Sequence, residues 1–315
     1  MSGGHVLALS GGVGGAKLAA GLAAVLPPER LTIAVNTGDD FEHLGLTICP
    51  DVDSVVYAMA GLNDRQRGWG VADETWQAMS MLKALGEADW FNLGDRDLGT
   101  HIARSWRLRA GESLSQVTRR LTSALGIAHH VAPMSDAPVR TQVETDDGWM
   151  DFQAWFVGQQ CGPRVKAIRF DGASVAAPSP GLDEALARPD LAAVIVCPSN
   201  PFLSVDPILA LPGVRQRLAE LNVPCLAVSP LIGGKALKGP LSKLLEELGL
   251  EGSNRAIADH YGDLVTHYVI DRGDGDDAVA LQARGVGVTL AETLMKTAED
   301  QVRLARVVLD AAGVE

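Results

Sequence analysis

Residues 5–35 read HVLALSGGVGGAKLAAGLAAVLPPERLTIAV, and the way this stretch divides decides the fold class. His5 to Leu9 is a short apolar run, Gly11 to Gly15 reads as a turn, and Ala16 to Leu26 has helical spacing. Pro27 and Pro28 stop that helix, after which Leu31 to Val35 reads as a second buried strand. Strand, glycine turn, helix, strand is a βαβ opening. It predicts an α/β protein: a Rossmann-like parallel sheet core with helices on both faces.

Working outward, Val52, Val55, Val56 and Met59 recur at helical spacing behind Asp51, so a helix is expected to start there. Leu98 to Leu125 reads as mostly helical, broken at Gly111. The character then changes. Val139 to Thr145, Trp149 to Val157 and Val165 to Phe170 suggest strands, with a hairpin turn at Asp146, Asp147 and Gly148 between the first two. From Leu191 the parallel pattern resumes in LAAVIVCPSNP and PCLAVSP, and a long helix is expected from Leu290 to Ala312. The expected organisation is therefore a core formed by residues 1–135 and 186–315, with a strand-rich insertion, 136–185, packed on it.

A chain of 315 residues can bury a core that needs no disulfide or metal staple. Cys49, Cys161, Cys197 and Cys225 are scattered without the spacing of a zinc knuckle and read as buried thiols in a reducing compartment. The opening MSGGHVLALSGG lacks a basic segment followed by a long apolar one, and no window approaches ~20 apolar residues. A soluble, cytoplasmic protein without a membrane partner is expected. The formal net charge of -12 argues against general affinity for nucleic acid, so any phosphate-bearing ligand needs a local site. Composition is silent on oligomeric state, and a homodimer is compatible with it.

Ser10-Gly-Gly-Val-Gly-Gly-Ala-Lys17 ends the first strand and opens the first helix, where glycines and free helix N–H groups suit a phosphate. Gly11, Gly12, Gly14 and Lys17 are the candidates; a tight turn with a surface lysine is the plain alternative. The pattern is neither a P-loop, since Ala16 and Leu18 flank the lysine, nor a dinucleotide fingerprint. Asn36 also stands where a ribose-binding acid is expected in an NAD-dependent enzyme. Asn36-Thr-Gly-Asp-Asp40 and Cys49-Pro-Asp-Val-Asp53 put acidic clusters on neighbouring loops, around a short segment that carries His43. Such clusters suit a hard divalent cation, while Asp51 alone suits helix capping.

Asn92-Leu-Gly-Asp-Arg-Asp97 follows a short apolar segment; Arg96 could fork onto a phosphate, and Asp95 or Asp97 could cap a helix. Trp69 and Trp76, near Arg65 and Arg67, could wall a flat ring or simply pack in the core. Met134-Ser-Asp136, Pro198-Ser-Asn-Pro201 and Ser229-Pro-Leu-Ile-Gly-Gly-Lys235 lie at strand ends, which makes Ser199, Asn200, Ser229 and Gly233 candidates for nucleotide contact, although turn chemistry explains their composition equally well.

Taken in order, LSGGVGGAKL, VNTGDD, CPDVDSV, LGDRDLGTHI, APMSDAPVRT, CPSNPFLSVDPI and AVSPLIGGKALKGP resemble the 2-phospho-L-lactate transferase family of coenzyme F-420 biosynthesis. The resemblance implies Mg2+, the deazaflavin alcohol Fo, and a guanosine diphosphate donor that carries a three-carbon acid on its outer phosphate. It implies attack of the ribityl hydroxyl on that phosphorus with release of GMP. Asp53 and Asn92 match positions associated with Fo, and Trp69 would add an aromatic wall. Asp40 and Asp53 are the implied metal ligands; Arg96 or Lys17 would neutralise phosphate charge. Asn92 stands where some archaeal members have a basic residue, and the glycine turn lacks their Thr and Pro. The competing reading is a related regulatory family that binds a nucleotide sugar, which the CPDVDS and LGDRD segments disfavour.

Overall fold

The structure, a computed structural model, describes residues 3–314. Seven parallel strands form the core: β1 (His5–Ser10), β2 (Leu31–Val35), β3 (His130–Pro133), β4 (Leu191–Val196), β5 (Cys225–Val228), β6 (His267–Asp271) and β7 (Gly287–Ala291). Their order across the sheet is β7-β6-β5-β4-β1-β2-β3. The chain thus winds one way from β1 to β3 and the other from β4 to β7, and a crevice opens between β1 and β4, where an α/β sheet places its ligands.

Every residue of β1 and β2 is buried, as continuous apolar runs require when helices cover both faces of a parallel sheet. Val6 and Ala8 join the packing around α1 (Gly12–Val25), α2 (Pro50–Met59) and the C-terminal helix Ala298–Ala311. Leu7 and Leu9 point to the opposite face, toward Trp155, Leu182 and Phe202. The remaining helices that matter for the site are α3 (Gln77–Ala84), α4 (Asp95–Arg109) and α5 (Leu114–Ala124).

Three sequence expectations shift. The first helix begins at Gly12 rather than Ala16, so most of the supposed turn is already helical; Gly12 enters it at φ +62°. The expected strand Trp149 to Val157 is a strand only over Gly148–Asp151, and Ala154–Gly158 coils into a wide π-helical turn that buries Trp155. The expected C-terminal helix from Leu290 opens instead as β7, and the helix proper starts after Thr297, whose side chain and that of Asp300 form a reciprocal cap. Three of the four cysteines are buried and all are free, with Cys161 partly exposed.

Within 136–185 the strands Gly148–Asp151, Arg140–Thr145 and Ala167–Asp171 form an antiparallel sheet in that order. Val139, Val143 and Val165 share one apolar cluster with Leu7 and Leu9, so this sheet packs directly on the core. Among the described residues no helix is long and apolar enough to cross a membrane.

α1 crosses the C-terminal helix closely at Gly21, where an added Cβ would lie 2.3 Å from the Gln301 carbonyl oxygen. Backbone cannot yield as a flexible side chain can. Gly21→Val is expected to lower stability by about 1–3 kcal/mol in urea unfolding, the usual cost of overpacking; an unchanged midpoint would show that the two helices part freely.

Candidate active site

The crevice edge is built around Asn36, a fully buried residue just past β2. Its amide nitrogen donates to Asp39 Oδ1 (3.2 Å), Asp51 Oδ2 (2.9 Å) and the Leu203 carbonyl (3.2 Å), while its oxygen accepts from Gly38 N–H at 2.8 Å. Asp51 also accepts from Gly12 N–H at 2.7 Å. It therefore caps α1 from across the crevice, a role its place in the first turn of α2 did not reveal. Ser199 exchanges two hydrogen bonds with Gly11, accepting from its N–H at 3.1 Å and donating to its carbonyl at 2.8 Å. A Cβ on Gly14 would sit 2.3 Å from the Pro198 carbonyl. The glycines of the first turn thus admit the loop after β4, and Gly11, Gly12, Gly14 and Ser199 do come together.

The other nucleotide candidates spread further along the edge. Asn200 Oδ1 accepts from Phe202 and Leu203 N–H, leaving its buried Nδ2 without a partner. Ser229, past β5, accepts from Leu231 N–H at 3.0 Å, and Gly233 donates to Asp274 at 3.2 Å. Gly233 lines an open cleft of ≈ 420 Å³ with Ser253, Arg255 and the acids Glu251, Asp274 and Asp277. Lys17 donates to the Met295 carbonyl at 2.9 Å. Burial and then the neighbouring Lys238 hold its pKa below the ordinary lysine value.

The two carboxylates singled out in the sequence have different surroundings. Asp53 puts one oxygen on Arg104 Nη1 (3.1 Å) and the other on Nη2, so the buried guanidinium forks onto it. Burial works against the charge on Arg104, but Asp53 outweighs it and the guanidinium holds its proton more tightly than usual. Arg104 Nη1 also donates to His101 Nδ1 at 3.2 Å, which leaves the ring proton on Nε2, 3.2 Å from Asp97 Oδ1 without an aligned hydrogen bond. Tyr57 donates to the same Asp97 oxygen at 2.6 Å. Asp40, by contrast, is buried with Oδ1 unpartnered. Burial raises its pKa to about 7 against smaller opposing pulls from Cys49, Arg140 and Arg104. Asp51 rises to about 6 and Asp39 also rises, both chiefly by burial.

The chain matches the family model described as 2-phospho-L-lactate transferase CofD over residues 6–306. It belongs to the 2-phospho-L-lactate transferase family. A 2-phospho-L-lactate transferase of Methanosarcina mazei is 39% identical over 306 residues, 97% of this chain and 100% of that one. A phosphoenolpyruvate transferase of Kitasatospora aureofaciens is 39% identical over 312 residues, 97% of each chain. Among solved structures, a UPF0052-family protein of Bacillus halodurans superposes with a TM-score of 0.63 at 17% identity, covering 98% of this chain and 99% of that one, a likeness of fold alone.

In this transferase the Trp69 and Trp76 rings lie 6.1 Å apart, with the Arg67 guanidinium 5.2 and 5.0 Å from their centres. Trp69, Tyr57 and Lys17 line one narrow slot beside α1 and α2. Asn92 is exposed, and Arg96 spends its guanidinium on the Ala72 carbonyl at 2.6 Å. The loop between the tryptophans and α4 is pinned by reciprocal capping: Glu74 accepts from Arg96 and Asp97 N–H, and Asp95 from Gln77 and Ala78 N–H. Sequence reasoning missed Arg104, His101 and Tyr57. The legible signal was that Asp97, His101 and Arg104 recur at helical spacing, while Ile102 and Trp106 fall on the opposite, exposed face.

Among the described residues no three His, Cys, Asp or Glu side chains converge on a preformed metal site. The free Asp40 oxygen in an acid-rich edge nevertheless fits a hard cation that takes its other ligands from water and substrate phosphates.

Two outcomes follow from this geometry. Asp53→Asn strands the buried Arg104 charge and is expected to cost about 3–5 kcal/mol of stability, read from denaturant unfolding; an unchanged midpoint would mean that the pair is not buried in solution. Because Asp40 takes up its proton at a higher pH folded than unfolded, the folded state holds the extra proton between about pH 4 and 7. Stability contributed by this group is present below that window and lost as pH rises through it. Histidines 5, 43, 130 and 267, whose pKa values fall mainly through burial, push the other way. The readout is thus the difference between wild type and Asp40→Asn in chelator, which should favour the variant increasingly from pH 5 to 8, by up to about 4 kcal/mol. A constant difference would show Asp40 to be ionised throughout.

Proposed function

We propose that this transferase moves a 2-phospholactyl or enolpyruvyl phosphate group from a guanosine diphosphate donor to the deazaflavin Fo, with release of GMP, in cytoplasmic coenzyme F-420 biosynthesis. The observation that carries this reading is the 39% likeness, over nearly the whole chain, to relatives named for each of the two transfers. The site geometry supports it. Trp69 and Trp76 offer flat apolar faces for a fused ring, with Asp53 and Asn92 as the proposed polar contacts of its ribityl chain. Burial and then the nearby Lys238 lower the Lys17 pKa, and two neighbouring ammonium groups are suited to donor phosphates. Gly11, Gly12 and Gly14 shape that end, and Ser199, Asn200, Ser229 and Gly233 line the path proposed for the nucleotide.

In the reaction the ribityl hydroxyl oxygen forms a bond to the outer phosphorus of the donor, and the anhydride P–O bond to GMP breaks. Asp40, whose Oδ1 has no protein partner, is our candidate to take the hydroxyl proton. Asp40 and Asp53 are our proposed ligands for Mg2+; the Asp53 oxygens keep lone pairs beyond those turned to Arg104. When bound, the cation would offset charge on the donor phosphates. Arg96 is a weaker candidate for that task, since it already bonds Ala72.

Incubation with Fo, Mg2+ and donors bearing lactate, enolpyruvate or glycerate, followed by mass spectrometry, should yield GMP and an Fo adduct with at least one donor. Absence of GMP with all three would overturn the proposal. GDP at a hundredfold over its Kd should also stabilise the folded state by about 2.7 kcal/mol. ATP at the same concentration should do much less, and equal shifts would count against guanine recognition.

A further inference from the structure

We infer that Arg104 is a positioning residue for the acceptor end of the site: it fixes the plane of the Asp53 carboxylate so that the lone pairs left over meet the deazaflavin alcohol. The inference rests on the proposed acceptor role of Asp53. Four observations carry it. Among the described residues Arg104 is the only buried lysine or arginine; it pairs with Asp53, and its charge also acts on two more buried aspartates, Asp40 and Asp97. It gives its fork to Asp53 alone, and both terminal nitrogens are used.

The guanidinium is itself held from behind, by the Thr47 carbonyl at 3.3 Å and by His101, which leaves it little freedom to rotate. Finally, Asp53 and Tyr57 lie one helical turn apart on α2, and Tyr57 lines the slot that Trp69 closes. The polar face of α4, made by Asp97, His101 and Arg104, thus backs the face of α2 that meets the slot. A stability role explains this poorly, because the desolvation of a buried ion pair largely cancels its attraction, and an apolar pair of similar volume would serve as well. A planar fork defines the orientation of a carboxylate, which a lysine ammonium, a point charge, does not.

The decisive comparison is Arg104→Lys, which keeps the charge and loses the fork. Binding of Fo, followed by its fluorescence in chelator without donor, should weaken at least about tenfold. The Kd for GDP should stay within about twofold. A purely structural role would lower the folded fraction and leave both constants of the remaining folded protein unchanged.

Arg107→Lys, one turn further along α4 and half-buried against Glu112, serves as the control and should bind both ligands as wild type does. Should Arg104→Lys fail to fold, the charge-neutral pair Asp53→Asn with Arg104→Gln replaces it. That double variant should bind Fo no more weakly than Asp53→Asn alone, since a residue acting through Asp53 has nothing further to lose. Wild-type affinity in Arg104→Lys, or an additive loss in the double variant, would overturn the positioning role while leaving the family reaction standing. Wild-type protein that neither binds Fo nor releases GMP would overturn the functional reading and this inference together.

Discussion

Too many buried carboxylates for the cations available is the constraint around which this molecule is arranged. The ends of β1 and β2 gather Asp39, Asp40, Asp51 and Asp53 where water is excluded. Each is handled differently. Asn36 shares one amide between Asp39 and Asp51, Gly12 at the start of α1 takes the other Asp51 oxygen, Arg104 takes Asp53, and Asp40 is left with an open valence. These contacts tie β2, α1, α2, α4 and the loop after β4 into one body. The same ties decide which group can exchange a proton and which is fixed.

Much of the fold was legible because it is written in short range. The runs HVLALS and LTIAV are apolar throughout, which only a sheet covered on both faces accommodates, and the doubled proline between them forces the crossover to end. Where the reading slipped, the cause was a contact distant in sequence. Gly12 to Gly15 look like turn residues, yet they lie in the helix, because Ser199 and Asp51 satisfy the first two amides, Gly11 and Gly12 N–H, that a free helix end would expose to water. The π-helical turn at Ala154–Gly158 carries strand-forming residues, and the burial of Trp155, with its indole on the Pro163 carbonyl, overrides their local preference.

The site was legible in kind more than in detail. Acidic loop motifs announce themselves, but nothing near Asp53 in sequence reveals a partner 51 positions away. Arg96 drew attention because it sits inside a motif, whereas Arg104 lies in a helix that reads as an ordinary amphipathic one until its polarity is seen to be inverted. Asp97, His101 and Arg104 are buried on α4 while Trp106 is 64% exposed.

The capping of α1 by Asp51 and Ser199 has a consequence for what the enzyme ignores. A free helix N-terminus attracts any small oxyanion, phosphate and sulfate included. Here two of that end's amides, Gly11 and Gly12 N–H, are already held by the protein's own hydroxyl and carboxylate. Small anions therefore gain less by entering, and affinity must accumulate over a large ligand that reaches several strand ends at once. The helix end thereby favours ligands for their size and reach more than for charge alone.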